Sequence, residues 1–194
     1  MSISDATVPS AAALVSAETL CRAAAASPSI LHVVTGAPAA GKSTYGRQLA
    51  ATLRAAFLDI DTASEKVVQA ALAAMHVSPN DRDSPFFKTT FRDPIYESVF
   101  AIAEENLPHT SVVIAGPFSS EKLNAAWKAE LEQRFNTGVV IHYVHCGEVQ
   151  LKRNMQRRQN PRDAYKLANW EKYAQGCNLQ PPLYPHVLVQ PTYT

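Results

Sequence analysis

The chain has 194 residues, 46% hydrophobic and 18% charged, which suits one domain with a sizeable core and excludes a disordered chain. Its 18 basic and 17 acidic side chains leave a net charge of +1, which argues against bulk nucleic-acid binding by charge alone and leaves only a local basic patch open. Three cysteines (Cys21, Cys146, Cys177) stand far apart without a CxxC pair, so they read as reduced thiols of a cytosolic protein and not as a metal site.

Residues 1–10 read as a loose tail and 11–26 as a helix laid against the domain. The start lacks a basic leader and carries Asp5 and Glu18, which argues against a signal peptide. No apolar run approaches the roughly 20 residues of a membrane span. The expected organisation is an N-terminal tail and helix over 1–28 and one domain over 29–194. ILHVVT (30–35) is a short β-branched run bounded by Gly, hence a buried strand, and a helix follows from Lys42 to Arg54. AAFLDI (55–60) reads as a second strand and Thr62 to Met75 as a helix. Residues 76–91 hold two prolines and mixed charge, and read as a loop or short irregular helix. Asp93-Pro94 is expected to open a helix, with Asp93 as N-cap, running to about Leu107. Strands follow at 111–115, 139–145 and 186–190, with helices expected over 121–135, 147–158 and 163–175. Alternating strands and helices, with apolar strands throughout, predict an α/β fold whose parallel sheet is buried on both faces.

GAPAAGKST (36–44) fits GxxxxGK[ST] through Gly36, Gly41, Lys42 and Ser43, between a strand and a helix. The glycines let the backbone curl so that N–H groups converge on an anion. Pro38 has no N–H, so this nest is expected from Ala39, Ala40, Gly41, Lys42, Ser43 and Thr44. The helix N-terminus adds its partial positive charge. Lys42 is placed to reach the β- and γ-phosphates of a nucleotide, and the Ser43 hydroxyl to bind Mg²⁺.

In LDIDT (58–62), Asp59 and Asp61 are expected to end the second strand on one face, at the sheet edge where open α/β sheets bind ligands. Asp59 suits Mg²⁺, and Asp61 suits a base that takes a proton from an attacking hydroxyl; the plain alternative makes Asp61 a helix N-cap. In RNMQRRQNPRD (153–163), Arg153 and Arg157 share a helix face, and Arg158 and Arg162 follow across a break. Guanidinium groups at a helix end suit a lid that neutralises phosphate charge, or else a solvated basic face or an RNA-binding helix. Arg92 suits an acceptor phosphate or carboxylate, or merely the surface. Phe118, with Phe86 and Phe87, either walls an acceptor pocket or belongs to the core.

These stretches resemble the small P-loop kinases: shikimate and gluconate kinases, chloramphenicol phosphotransferase, zeta toxins and a broad group of AAA-domain ATPases with kinase-like sequences. The likeness covers about residues 30–190 and includes Phe91, Arg92, Asp93, Pro94 and Tyr96; Val112, Val113, Pro117 and Phe118; and Arg162, Asp163, Lys166, Asn169 and Trp170. The resemblance implies a five-stranded parallel sheet in order 2-3-1-4-5 with an arginine-rich lid, and Mg²⁺-assisted phosphoryl transfer from ATP to a hydroxyl of a small-molecule acceptor. It implies Lys42 on phosphate, Ser43 on Mg²⁺, Asp61 as base, Arg153 packed on adenine, and Arg157 and Arg162 as lid arginines. Relatives usually carry an acid at the end of the third strand, where this chain has Ala115. Two other readings stay open: a nucleotide-binding regulator with weak ATPase activity, and a kinase of a nucleic-acid end or a nucleotide sugar.

Overall fold

The computed structural model describes residues 28–176 and 179–191. The helix expected over 11–26, Cys21 and Cys177 lie outside them. The strands are β1 (Leu31–Thr35), β2 (Ala56–Asp59), β3 (Val112–Ala115), β4 (Val139–Val144) and β5 (Val187–Val189). Every strand pairing is parallel, and the sheet order is β2-β3-β1-β4-β5, as the resemblance implies. Between the strands run α1 (Lys42–Leu53), α2 (Ile60–Ala74), α3 (Pro85–Thr90), α4 (Arg92–Asn106), α5 (Trp127–Phe135), α6 (Glu148–Arg158), α7 (Ala164–Ala168) and α8 (Trp170–Gly176). Among the described residues, no helix is long and apolar enough to cross a membrane.

Successive strand residues point to opposite faces, so the apolar runs feed two cores. Leu31, Val33, Val112, Ile114, Val139 and Ile141 pack with Val99 and Phe100 of α4 and Leu131 of α5. Val34, Val113, Ala115 and Val144 pack with Ala50 of α1 and Leu151 of α6. The two-sided burial explains why the strands show no polar alternation.

Several boundaries differ from expectation, each for a local reason. β2 stops at Asp59, whose carboxylate accepts the Thr62 N–H at 3.1 Å and so caps α2. The expected strand end at 60 is therefore helical. Asp61 is not a strand neighbour of Asp59, nor the cap; it lies in the first turn of α2, where the helix dipole favours a carboxylate. Within 76–91, α3 forms because Ser84 caps it with its hydroxyl and Pro85 fills the first turn. Asp93 does not cap α4; Phe91 occupies that position and accepts the Ile95 N–H at 3.0 Å, leaving Asp93 in the first turn. The expected helix 121–135 is split into a 3₁₀ turn at Glu121–Leu123 and α5, with extended Asn124 between them accepting the Ala126 N–H at 3.0 Å. The expected helix 163–175 is likewise broken at Asn169, between α7 and α8, and follows a 3₁₀ turn at Pro161–Asp163.

Candidate functional site

The C-terminal ends of β1, β2 and β3 open on a cleft of about 1660 Å³. Such an edge is where sheets of this kind receive ligands. One wall is the turn that leaves β1. Gly36 has φ 150°, and a Cβ added there would stand 2.5 Å from the Val144 carbonyl oxygen, so the turn lies directly against β4. Gly41, at φ 94°, is the N-cap of α1. Ala39 is also left-handed, at φ 64°, and Asn154 of α6 donates its amide to the Ala39 carbonyl at 2.9 Å. Asn154 thus ties the turn to α6.

Gly36, Ala39, Gly41, Lys42, Ser43 and Thr44 all line the cleft. The Lys42 ammonium bends back over the turn and donates to the Ala37 carbonyl at 2.8 Å. Ala40 departs from the expected nest: it is fully buried, and its N–H donates to the Ala37 carbonyl at 3.1 Å. The backbone turn consumes that donor, which removes Ala40 from the expected nest.

Asp59 and Asp61 both line the cleft although they sit on different elements. Asp59 is buried and pairs in register with Ala115 of β3, so the carboxylate absent from the end of β3 stands one strand away. Asp61 is largely exposed and is gripped by Arg162: one guanidinium nitrogen lies 2.9 Å from Oδ1 and the other 3.2 Å from Oδ2. Burial works against the charge of Arg162, but its bond to Asp61 and the nearby carboxylates of Glu65 and Asp163 together hold its pKa above the ordinary value. Arg157 and Arg158 also line the cleft. Arg158 is committed to the buried Asp163, at 2.5 and 2.7 Å. Arg153, exposed one turn before Arg157, is not among the lining residues.

On the far side of the cleft, Arg92 Nη2 donates to both Glu121 oxygens, at 2.6 and 2.7 Å, Nη1 donates to Asp93 at 3.2 Å, and the guanidinium stacks over the Tyr96 ring at 4.6 Å. Its charge is thereby answered within the protein. Burial pushes the Tyr96 phenol up to about 12 against the opposing pull of Arg92, so Tyr96 lines the cleft as a neutral hydroxyl. Phe118 does not wall the cleft. It is fully buried among Tyr96, Phe100 and Trp127, with a left-handed φ of 39° that turns its ring into the core. Phe87, by contrast, reaches the cleft, with Arg82 over its ring at 5.0 Å.

Sequence reasoning passed over Glu65, Asn154 and Glu121. Glu65 carried a readable signal, since it lies four residues after Asp61 on one helix and hence on the same face. Its Oε2 accepts from both Arg82, at 3.0 Å, and Arg162, at 3.1 Å. Asn154 and Glu121 gave no such signal, because their partners Ala39 and Arg92 are distant in sequence.

A family model described as an AAA domain matches residues 31–179. No curated protein matches the chain. Among solved structures, the chain is similar to a candidate kinase from Chloroflexus aurantiacus, with a TM-score of 0.61, 18% identity, and coverage of 84% of this chain and 88% of that one. It is also similar to a sugar kinase from Janibacter sp., with a TM-score of 0.54, 14% identity, and coverage of 84% and 86%. A third likeness is to Kti12 from Chaetomium thermophilum, solved with ADP-AlF3, with a TM-score of 0.54, 21% identity, and coverage of 82% and 88%. At these identities the likeness is one of fold.

Proposed function

The chain belongs to the AAA domain family, and from that premise we propose that it is an ATP-dependent phosphotransferase that moves the γ-phosphate of ATP to a hydroxyl of a small-molecule acceptor. One observation carries this reading: Lys42 and Ser43 open on the same cleft as Asp59, Asp61, Arg157 and Arg162. A phosphate cradle alone suits any nucleotide-binding protein. A cradle facing a carboxylate and arginines suits phosphoryl transfer, which needs positioning, charge neutralisation and a proton acceptor.

The residues divide the work as follows. The N–H groups at Ala39 and over 41–44, with the α1 N-terminus, hold the phosphates, and Lys42 adds its charge. Ser43 and Asp59 suit Mg²⁺, which is commonly held by one or two protein groups together with phosphate oxygens. Asp59 spends Oδ1 on its helix cap and keeps Oδ2 for this task. Held by Ser43 and Asp59, Mg²⁺ would offset phosphate charge. The acceptor oxygen attacks the γ-phosphorus, forming a new O–P bond as the bond to the β–γ bridging oxygen breaks. ADP departs with that electron pair, and the acceptor proton passes to Asp61. Arg157 and Arg162 neutralise the equatorial oxygens and exclude water. Arg153 is left out of this set because it lies off the cleft.

Ala115 supports a second reading, a nucleotide-binding regulator with slow turnover, because it removes a carboxylate from the end of β3. The Asp59–Ala115 register weighs against it by offering a substitute at the same level of the sheet. The test is transfer from γ-labelled ATP with Mg²⁺ into a pooled metabolite extract, wild type beside Asp61→Asn. A labelled organic product made by wild type and not by the variant supports the phosphotransferase. Release of labelled phosphate at the same slow rate by both proteins favours the regulator.

A further inference from the structure

Both oxygens of the Asp61 carboxylate face one guanidinium: Arg162 Nη2 donates to Oδ2 at 3.2 Å, and Nη1, which donates to Glu65, stands 2.9 Å from Oδ1 as an ion pair. These contacts occupy the side of the carboxylate that faces Arg162, at most two of its roughly four acceptor sites. An acceptor hydroxyl that approaches from the Arg162 side must displace the guanidinium to hand over its proton. The same fork is the part of an arginine best matched to phosphate oxygens, and Arg162 lines the cleft together with Lys42 and Ser43. One guanidinium cannot grip Asp61 and a phosphate in this way at the same time.

The surroundings make an exchange between the two workable. Glu65 Oε2 accepts from Arg162 at 3.1 Å, so a guanidinium that leaves Asp61 keeps a second anchor on the same helix face. That oxygen also accepts from Arg82 at 3.0 Å, which ties the segment before α3 into the same cluster. The Arg162 backbone is held from both sides: Asn160 Oδ1 accepts its N–H at 3.0 Å, and Lys166 of α7 donates to its carbonyl at 3.4 Å. Asp61 is 63% exposed on its side chain while Arg162 is 17% exposed, so the contact can break at the solvent side without opening the core.

We propose, on the basis of the phosphotransferase reading, that Arg162 is a switch shared between Asp61 and the nucleotide phosphates. On Asp61 it masks the base; drawn onto phosphate, it releases the carboxylate to the acceptor. The base is then uncovered by the nucleotide that makes it useful, so nucleotide binds before a reactive acceptor. By thermodynamic reciprocity the Asp61 contact must also oppose nucleotide binding, because whatever phosphate gains from Arg162, Asp61 loses.

A double-mutant cycle read by the affinity of a non-hydrolysable ATP analogue tests the switch. Asp61→Asn keeps the side-chain shape and removes the charge that competes for Arg162. It is expected to bind the analogue about fivefold or more tightly than wild type. Removing any negative charge near phosphates also helps, but that gain persists when Arg162 is absent. The switch requires the gain to vanish in the Arg162→Gln background, with thermal melting showing that each variant is folded. Equal affinity of wild type and Asp61→Asn, or a gain of the same size in both backgrounds, would overturn the switch and leave the phosphotransferase reading standing. Failure of wild type to bind the analogue, with Lys42→Ala no different, would overturn that reading and the switch with it.

Discussion

Replacing Gly36 by alanine probes how tightly the turn after β1 is built against the sheet. The added Cβ meets the Val144 carbonyl oxygen at 2.5 Å and its carbonyl carbon at 3.3 Å. Those atoms belong to β4, which is paired on both sides, so they cannot swing away as a side-chain tip can. The position also has φ 150°, a conformation side-chain-bearing residues rarely adopt. Overpacking of this kind costs about 1–3 kcal/mol, and an unfavourable backbone conformation costs about as much again. A combined loss of about 3 kcal/mol lowers the melting temperature by roughly 6–12 °C in a domain of this size. The control is Gly138→Ala, where nothing lies within 4 Å of the added carbon and a change within about 2 °C is expected. Circular-dichroism melts and ATP-analogue binding are measured together, because the loop can also relieve the clash by lifting off β4 at the expense of phosphate affinity. A Gly36→Ala protein that melts like Gly138→Ala and binds like wild type refutes the steric reasoning.

Lys42→Ala removes a cation bent over the turn; losing a charged hydrogen-bonding partner costs about 1.5–3 kcal/mol, so nucleotide affinity is expected to fall roughly ten- to a hundredfold in a calorimetric titration. Undiminished affinity would mean that the turn does not hold phosphate through Lys42. His142 of β4, buried with Tyr45 OH at 2.9 Å and His32 at 3.1 Å, has its pKa lowered from 6.5 to about 4 by burial and by the neighbouring imidazole. The unfolded chain therefore binds the proton more readily than the folded one, and stability falls as pH drops from 6.5 towards 4. At pH 5 this amounts to about 2 kcal/mol relative to pH 8. His142→Gln should flatten that part of the pH profile in urea melts at the two pH values; an unchanged slope would show that His142 is not its source.

Much of the site was legible from local spacing. GAPAAGKST is contiguous, so Gly36, Gly41, Lys42 and Ser43 could be assigned before any fold was known, and all four line the cleft. The parallel sheet followed from apolar strands alternating with helices. Asp59 and Asp61 were found as a pair but given the wrong relation, because strand periodicity was carried one residue past the point where Asp59 caps α2. Phe118 shows the limit of composition: an aromatic in a glycine- and serine-rich loop looks available for a ligand, yet its left-handed φ turns it into the aromatic cluster of the core.

The sequence by itself determined the glycine turn between β1 and α1 and the class of fold, since both rest on neighbours a few residues apart and on the period of the apolar runs. Only the tertiary structure decided which charges are already answered. Arg162 reaches Asp61 across 101 positions, Arg92 meets Glu121 across 29, and Asn154 holds Ala39 across 115. No local rule links such residues. A charge finds its partner through the packing of whole helices on the sheet, and that packing decides which carboxylate each cleft-lining arginine meets.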